Sequence, residues 1–384
     1  VRLLDNQVQP YAWGSLTAIP TLLGRSPTAS PQAELWLGAH PSAPSRVVGP
    51  AGVEPLGRYI LYSPGSALGP EVMSRFGPRL PFLLKVLAAA QPLSLQAHPS
   101  LEQAQAGYSR EEAEGVPRSA PHRNYKDPNH KPELLCALSP FHALCGFRAT
   151  ADSVRLLEGL GLDASLLRDS GLKAYFEWVM TLPWVERAAL ANQAVRACSE
   201  RPPEDFAAEC AWAARLGAQY PGDVGVVGAL LLNLVTLQPG EALYLPAGNL
   251  HAYLEGVAVE IMASSDNVLR GGLTPKHIDV PELLSVLDFS DRPVIRLAPQ
   301  GPVAVYRTPA PEFELSRLEL LDVDQVLPRT GPDIFLVVEG LVLVSCRGST
   351  LSLSRGASIF VDFGHGEPVT LSGRGVAFRA TVGR

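Results

Sequence analysis

The sequence predicts a mainly β protein interrupted by a helical insertion, and three observations carry that prediction. From Leu3 to about Phe147, short apolar or alternating segments are broken by Gly, Pro and Ser, the punctuation of strands and turns. Between Thr150 and Tyr220 the text becomes rich in Ala and Leu, with charges at helical spacing. From Val294 to the end, short strand-like segments return roughly every eight to twelve residues, the rhythm of a β-sandwich or jelly roll.

The first region reads as strands with brief helical patches such as Pro70 to Phe76. The insertion reads as about four helices, in SVRLLEGLGL, LKAYFEWVMTL, VERAALANQAVRAC and DFAAECAWAARLGAQY, and Pro221-Gly222 ends it. Strands are expected to resume with VVGALLLNLVTLQPGEALYLPAG, and the helical signal fades after Pro281-Glu282-Leu283-Leu284. At 384 residues the chain exceeds what one core usually supports. The expected division is a site-bearing β-domain of 1–149 and 222–290, a helical domain of 150–221, and a second β-domain of 291–384.

Composition narrows the function classes. With 46% hydrophobic and 18% charged residues the chain has the material for packed cores, so disorder is not expected. A net charge of -6 without any run of Lys or Arg offers no electrostatic footprint for nucleic acid or an anionic membrane. The longest apolar run, Pro81 to Leu95, is interrupted by Lys85 and falls short of the roughly 20 residues of a membrane helix. Five cysteines, odd in number and never spaced C-x-x-C, argue against disulfide frameworks and thiolate metal sites. The N-terminus shows no secretory pattern, so a cytoplasmic location is expected.

Lysine is a rare choice in this chain: of 32 basic residues five are Lys and the remaining 27 Arg. Four of the five, Lys85, Lys126, Lys131 and Lys276, fall in the segments that hold the candidate site residues. A compact ammonium with a shiftable pKa is not interchangeable with a guanidinium, although a sample this small also clusters by chance.

Four segments carry chemistry. In PLSLQAHPS, strand alternation places Ser94, Gln96, His98 and Ser100 on one face, which is either a solvated face or a site. In NYKDPNHKPELLCALSP, the same alternation sets Lys131 beside Glu133, as a surface ion pair or as a metal ligand with an ammonium near it. His251 follows a Pro-Ala-Gly-Asn turn, with Tyr253 and Glu255 on its alternation. Small barrels and cupin-like folds place ligand sites at such a mouth, but a lone His there is more often structural. In SSDNVLRGGLTPKHIDVPELL, Asp266, Arg270 and Lys276 lie on a Gly-rich stretch suited to phosphate capture, or to an ordinary connector.

Taken together, Gln96, His98, Glu133 and His251 supply nitrogen and oxygen donors without thiolate, a set that suits one zinc ion in a working site. With one anionic ligand such an ion keeps a formal charge of about +1 and remains a strong Lewis acid.

These segments, with YAWGS, PQAELWLGAHPSAPS, LPFLLKVLAAAQPLSLQAHPS and GNLHAYLEGVAVEIMASSDNVLRGGLTPKHIDV, resemble the signature blocks of type I mannose-6-phosphate isomerases. The resemblance covers the β-domains and implies a cupin-type barrel with a helical domain. It implies a zinc-dependent interconversion of mannose 6-phosphate and fructose 6-phosphate through a cis-enediol, toward GDP-mannose synthesis or glycolysis. The family's zinc ligands match Gln96, His98, Glu133 and His251, and its catalytic arginine matches Arg270. Lys131, Asp266, Glu260, Tyr253, Ser94, Lys85 and Lys276 match residues lining its pocket.

On that footing Lys131 or Asp266 is expected to shuttle the proton, and Arg270 to stabilise the enediolate or hold the substrate. Lys276, Lys85 and Ser94 are expected to anchor the phosphate. The expected partner is a hexose 6-phosphate alone, with a monomeric chain. Two rivals remain: a non-catalytic metal-dependent sugar-phosphate sensor, for which Lys131, Asp266 and Arg270 together are superfluous, and a cupin iron dioxygenase, against which the Gln ligand and basic pocket argue. Trp13, Trp36 and His40 either wall the pocket or pack in the β-core. His122, His130, His142, His277 and His365 receive no role, and the C-terminal domain reads as scaffold or lid support.

Overall fold

The computed structural model of the chain describes residues 1–49 and 52–383. Two antiparallel sheets dominate it. In the sheet that carries the site, strands run in the order Arg296–Leu297, Ala242–Leu245, Glu133–Ala137, His251–Ala263, Phe82–Ala89, Glu34–Leu37, Gln7–Gln9. The long His251–Ala263 strand organises this sheet. Its second half pairs with Phe82–Ala89 on one side and Glu133–Ala137 on the other. Its first half leaves them and pairs with Leu95–Ala97 and Phe141–Phe147.

The change of partners needs a bend, and Gly256 supplies it. Its φ is 135°, next to a register shift between Tyr253 and Glu255. A Cβ there would lie 2.6 Å from the Phe141 ring, so a side chain is excluded twice, by conformation and by space. The bulge also ends the alternation expected from His251: Tyr253 is buried, whereas Glu255 pairs with Arg215 on the surface.

The second sheet is built mainly from the C-terminal strands Val303–Tyr306, Glu314–Leu321, Val369–Thr381, Asp333–Cys346 and Ser358–Val361. It continues, however, into Arg2–Asp5, Arg46–Gly49 and Gly52–Pro55 from the opposite end of the chain. Leu3 stands across from Ile359 on one side and Val48 on the other. Backbone pairing, which no local pattern encodes, commits these N-terminal strands to the C-terminal sheet. The two sheets share one core, in which Phe82, Leu84, Val86 and Ile261 meet Leu315, Ile334, Phe360 and Phe378.

The helical block follows the 3.6-residue period: Thr150–Gly159, Ser165–Thr181, Trp184–Glu200 and Ala207–Gln219. Gly171, with a φ of 82°, breaks the second of these. Leu156, Leu167, Phe176 and Leu216 pack onto Leu95, Phe147 and Leu250 of the site sheet, so the block backs the wall on which the site is built. Two expectations fail. Gly225–Leu230 is a short helix, and the strand begins at Leu232. Leu101–Ala113 is a helix started by a capping box, in which Ser100 Oγ accepts from Gln103 N and Gln103 Oε1 accepts from Ser100 N. Ser100 therefore leaves the polar strand face to which alternation assigned it. No helix among the described residues is long and apolar enough to cross a membrane.

Candidate metal centre

Strand register assembles the site from four distant segments. Gln96 lies across from His251 on one side and Arg270 on the other. Glu133 lies across from Met262 and Leu245. His98 follows the end of the Leu95–Ala97 strand, where the Gly248 amide binds its carbonyl at 2.8 Å. The ligand atoms of His98, Glu133 and His251 all fall within 4.8 Å of one another, and all three residues are buried. Gln96 opens onto the same cavity as Glu133.

The orientation of each ring follows from its second nitrogen. His98 Nδ1 lies 2.7 Å from the Asn267 carbonyl and His251 Nδ1 lies 3.0 Å from the Asn249 carbonyl. A carbonyl only accepts, so each Nδ1 carries the proton and each Nε2 presents a lone pair. Those Nε2 atoms face Glu133 at 3.2 and 3.4 Å, yet both are buried without a hydrogen-bond partner. Burial, aided by the Lys131 charge, pushes His98 down to about 4 and keeps it neutral. Burial pushes the Glu133 carboxyl upward, but the Lys131 charge beside it outweighs that and holds the group well below the usual carboxylate range. Two imidazoles oriented by backbone carbonyls at Nδ1, one carboxylate and one amide form a donor set that fits a divalent metal ion.

A cavity of about 360 Å³ opens beside these ligands, and its two ends differ in charge. One end is a buried chain of acids and bases. Lys85 stands across from Glu260 on one neighbouring strand and Trp36 on the other. Its Nζ lies 3.4 Å from both Glu34 and Glu260 and 5.2 Å from the Trp36 ring. Burial lowers the Lys85 pKa, but Glu34, Glu260 and Glu133 raise it further, so it stays charged. Tyr253 then donates to Glu260 at 2.8 Å, while Glu133 accepts from it at 3.3 Å and contacts Lys131 at 2.9 Å. Lys85 is thus neutralised by two carboxylates.

The other end is cationic. Arg270 donates to Ser94 Oγ at 2.8 Å, and burial lowers its pKa. Lys276 is lowered first by Arg270, then by burial and by Lys126. Three cations crowd this end and repel one another, which is the condition for holding a small anion. Asp266 borders the cavity with its Oδ1 3.4 Å from His40 Nε2. The His40 hydrogen bond is the largest influence holding its carboxyl below the usual range.

Every residue expected at the site therefore converges on it, with Lys85 in a different setting. The structure adds Lys126, singled out earlier only for its rarity, and Glu34, Asn267 and Thr274. Glu34 and Trp36 could have been read from ELWL, since residues two apart share a strand face and an acid in an apolar strand calls for a partner. Asn267 could not: it holds the Lys126 amide at 2.7 Å and donates to Asp127 and Asn129, contacts between segments far apart in the chain. Trp13 and Trp36 line the cavity, whereas His40 acts through Asp266.

A β-barrel wall that carries buried, unpaired ligands beside an anion pocket defines a cupin-type metalloenzyme. Known proteins narrow the class. Residues 1–150 match the family model described as phosphomannose isomerase type I, catalytic domain. The chain is 40% identical to the mannose-6-phosphate isomerase of Escherichia coli over 97% of each. It is 34% identical to that of Homo sapiens, covering 96% of this chain and 94% of the human one. A solved zinc-bound mannose 6-phosphate isomerase superposes with a TM-score of 0.91 at 37% identity, covering 100% of this chain and 99% of that one. A variant phosphomannose isomerase from Salmonella typhimurium superposes at 0.92, with 37% identity and the same coverage. The chain belongs to the type I phosphomannose isomerase family.

Proposed function

We propose that the chain interconverts mannose 6-phosphate and fructose 6-phosphate, with one zinc ion held by Gln96, His98, Glu133 and His251. The observation that carries this reading is the pair of buried, unpartnered Nε2 atoms facing Glu133, beside a cavity whose far end is cationic. When bound, the ion supplies Lewis acidity for the negative charge that develops on the sugar oxygens.

The chain's own residues perform the rest. Arg270, Lys276 and Lys126 attract the phosphate, and Ser94 holds the Arg270 guanidinium in place. The opened sugar then extends toward Glu133, where Lys131 and Asp266 flank the cavity as proton carriers. One of them removes the C2 proton to give the cis-enediol, and the proton returns to C1 as hydrogen moves from O2 to O1. Tyr253, held by Glu260, fixes Glu133 through its hydroxyl, and Lys131 balances the Glu133 charge. Five free, buried cysteines suit a reducing compartment, and we place this work in the cytoplasm.

The test is a coupled isomerase assay on a panel of hexose 6-phosphates before and after chelation. Turnover of mannose 6-phosphate that is abolished on chelation and restored by zinc is expected. Undiminished turnover in demonstrably metal-free protein rejects the metal's part in it, and binding of the sugar phosphate without turnover favours the sensor.

A further inference from the structure

A second cavity, of about 600 Å³, adjoins the first and shares Lys126 and Asp266 with it. Its volume lies in the range of roughly 300 to 1,000 Å³ typical of small-molecule sites. Ala39, Pro44, Ile60 and Leu80 give it an apolar wall, with Leu61 on the rim, 63% exposed. Arg58, Arg79 and Lys126 stand around that wall.

The charges are unequally committed. Among the described residues, Arg58 donates only to the Tyr62 hydroxyl, at 3.0 and 2.7 Å, and Arg79 only to the Phe76 carbonyl and Asn129, at 3.1 and 3.2 Å. Neither arginine nor Lys126 makes an ion pair among the described residues. The carboxylates are already engaged: Asp127 accepts from the backbone of Asn129 at 3.0 Å and of Asp266 at 2.8 Å, and Asp266 faces His40. What remains available is cationic charge over an apolar surface.

We propose that this cavity is a second ligand site, for an apolar ring bearing a phosphate or carboxylate, and that its occupant weakens sugar-phosphate binding next door. Guanidinium groups match both anions, and the apolar wall selects a ring over a bare ion. Lys126 couples the two cavities, since an anion beside it offsets the attraction it offers to the sugar phosphate. The coupling is reciprocal, so substrate must weaken the second ligand by the same factor. The coupling rests on the function proposed above; the binding does not.

The experiment titrates zinc-loaded protein with 1-naphthyl phosphate and with 1-naphthoate by calorimetry, then measures KM and kcat for mannose 6-phosphate at rising concentrations of each. One aryl anion binding per chain is expected, with KM rising to a plateau at unchanged kcat, and the two probes tell phosphate from carboxylate preference. Arg58→Ala combined with Arg79→Ala should weaken probe binding at least about tenfold, as loss of charged hydrogen bonds does. Leu61→Glu, on the exposed rim, should do so by repulsion without disturbing the fold, and both variants should keep the probe-free KM. Absence of binding at millimolar probe, affinity unchanged in both variants, or a KM that climbs without limit overturns the proposal, the last by placing the probe in the catalytic cavity. A protein without isomerase activity would reject the proposed reaction and leave the calorimetric result standing.

Discussion

In the C-terminal sheet Asp333 lies between Arg329 at 2.6 Å and Arg379 at 2.8 Å, all buried. The two guanidinium groups also donate to the carbonyls of Gly331, Val361, Asp362, Phe363 and Pro328. In the site sheet Glu133 gathers Lys131, His98, His251 and Tyr253, equally buried, but two imidazole nitrogens there remain unpaired. A buried cluster that closes on itself holds a fold together. One that leaves lone pairs facing the same point is kept for a ligand, because the desolvation of those atoms is otherwise uncompensated.

Three measurements break or sharpen this contrast. The largest effect is expected from His251→Ala, which removes an unpaired ligand: zinc content falls and kcat drops at least about 10³-fold, while the thermal midpoint of the metal-free protein changes little. Near-normal zinc and kcat would remove His251 from the centre. Next, Asp333→Asn leaves two guanidinium groups buried without their counter-charge and should cost about 3 to 4 kcal/mol in urea unfolding. Zinc stoichiometry and kcat of the folded fraction should not change, and a loss of zinc at intact stability would contradict the structural role of that cluster.

The third effect concerns pH in metal-free protein. His98 is pushed down to about 4 from 6.5, so between those values the unfolded chain binds a proton that the folded chain refuses. Stability from this group is complete above pH 6.5 and is lost as the pH falls through about 4, by up to about 3 kcal/mol. Urea midpoints for metal-free wild type and His98→Gln, taken between pH 7 and pH 4, measure it. The variant should show a shallower fall, and parallel curves would reject the attribution.

The periodicities were legible because they are local. Alternation placed Gln96 with His98 and Lys131 with Glu133, and the 3.6-residue period located the helical block. The S-x-x-Q signature at Ser100 is present too, but short alternation sets this helix cap on a strand face. The setting of Lys85 was not legible, because its two carboxylates lie on the flanking strands at Glu34 and Glu260, and only strand order makes them neighbours.

By itself the sequence determined which residues could serve as ligands, which elements bear them and to which family the segments are similar, since side-chain chemistry and backbone period are properties of short stretches. The tertiary structure decided which of those groups remain unpaired. Partnering depends on cross-strand register: it neutralises Lys85 between two glutamates, leaves Lys126 without an ion pair among the described residues where two cavities meet, and turns His98 and His251 toward Glu133 with their Nε2 atoms unpartnered.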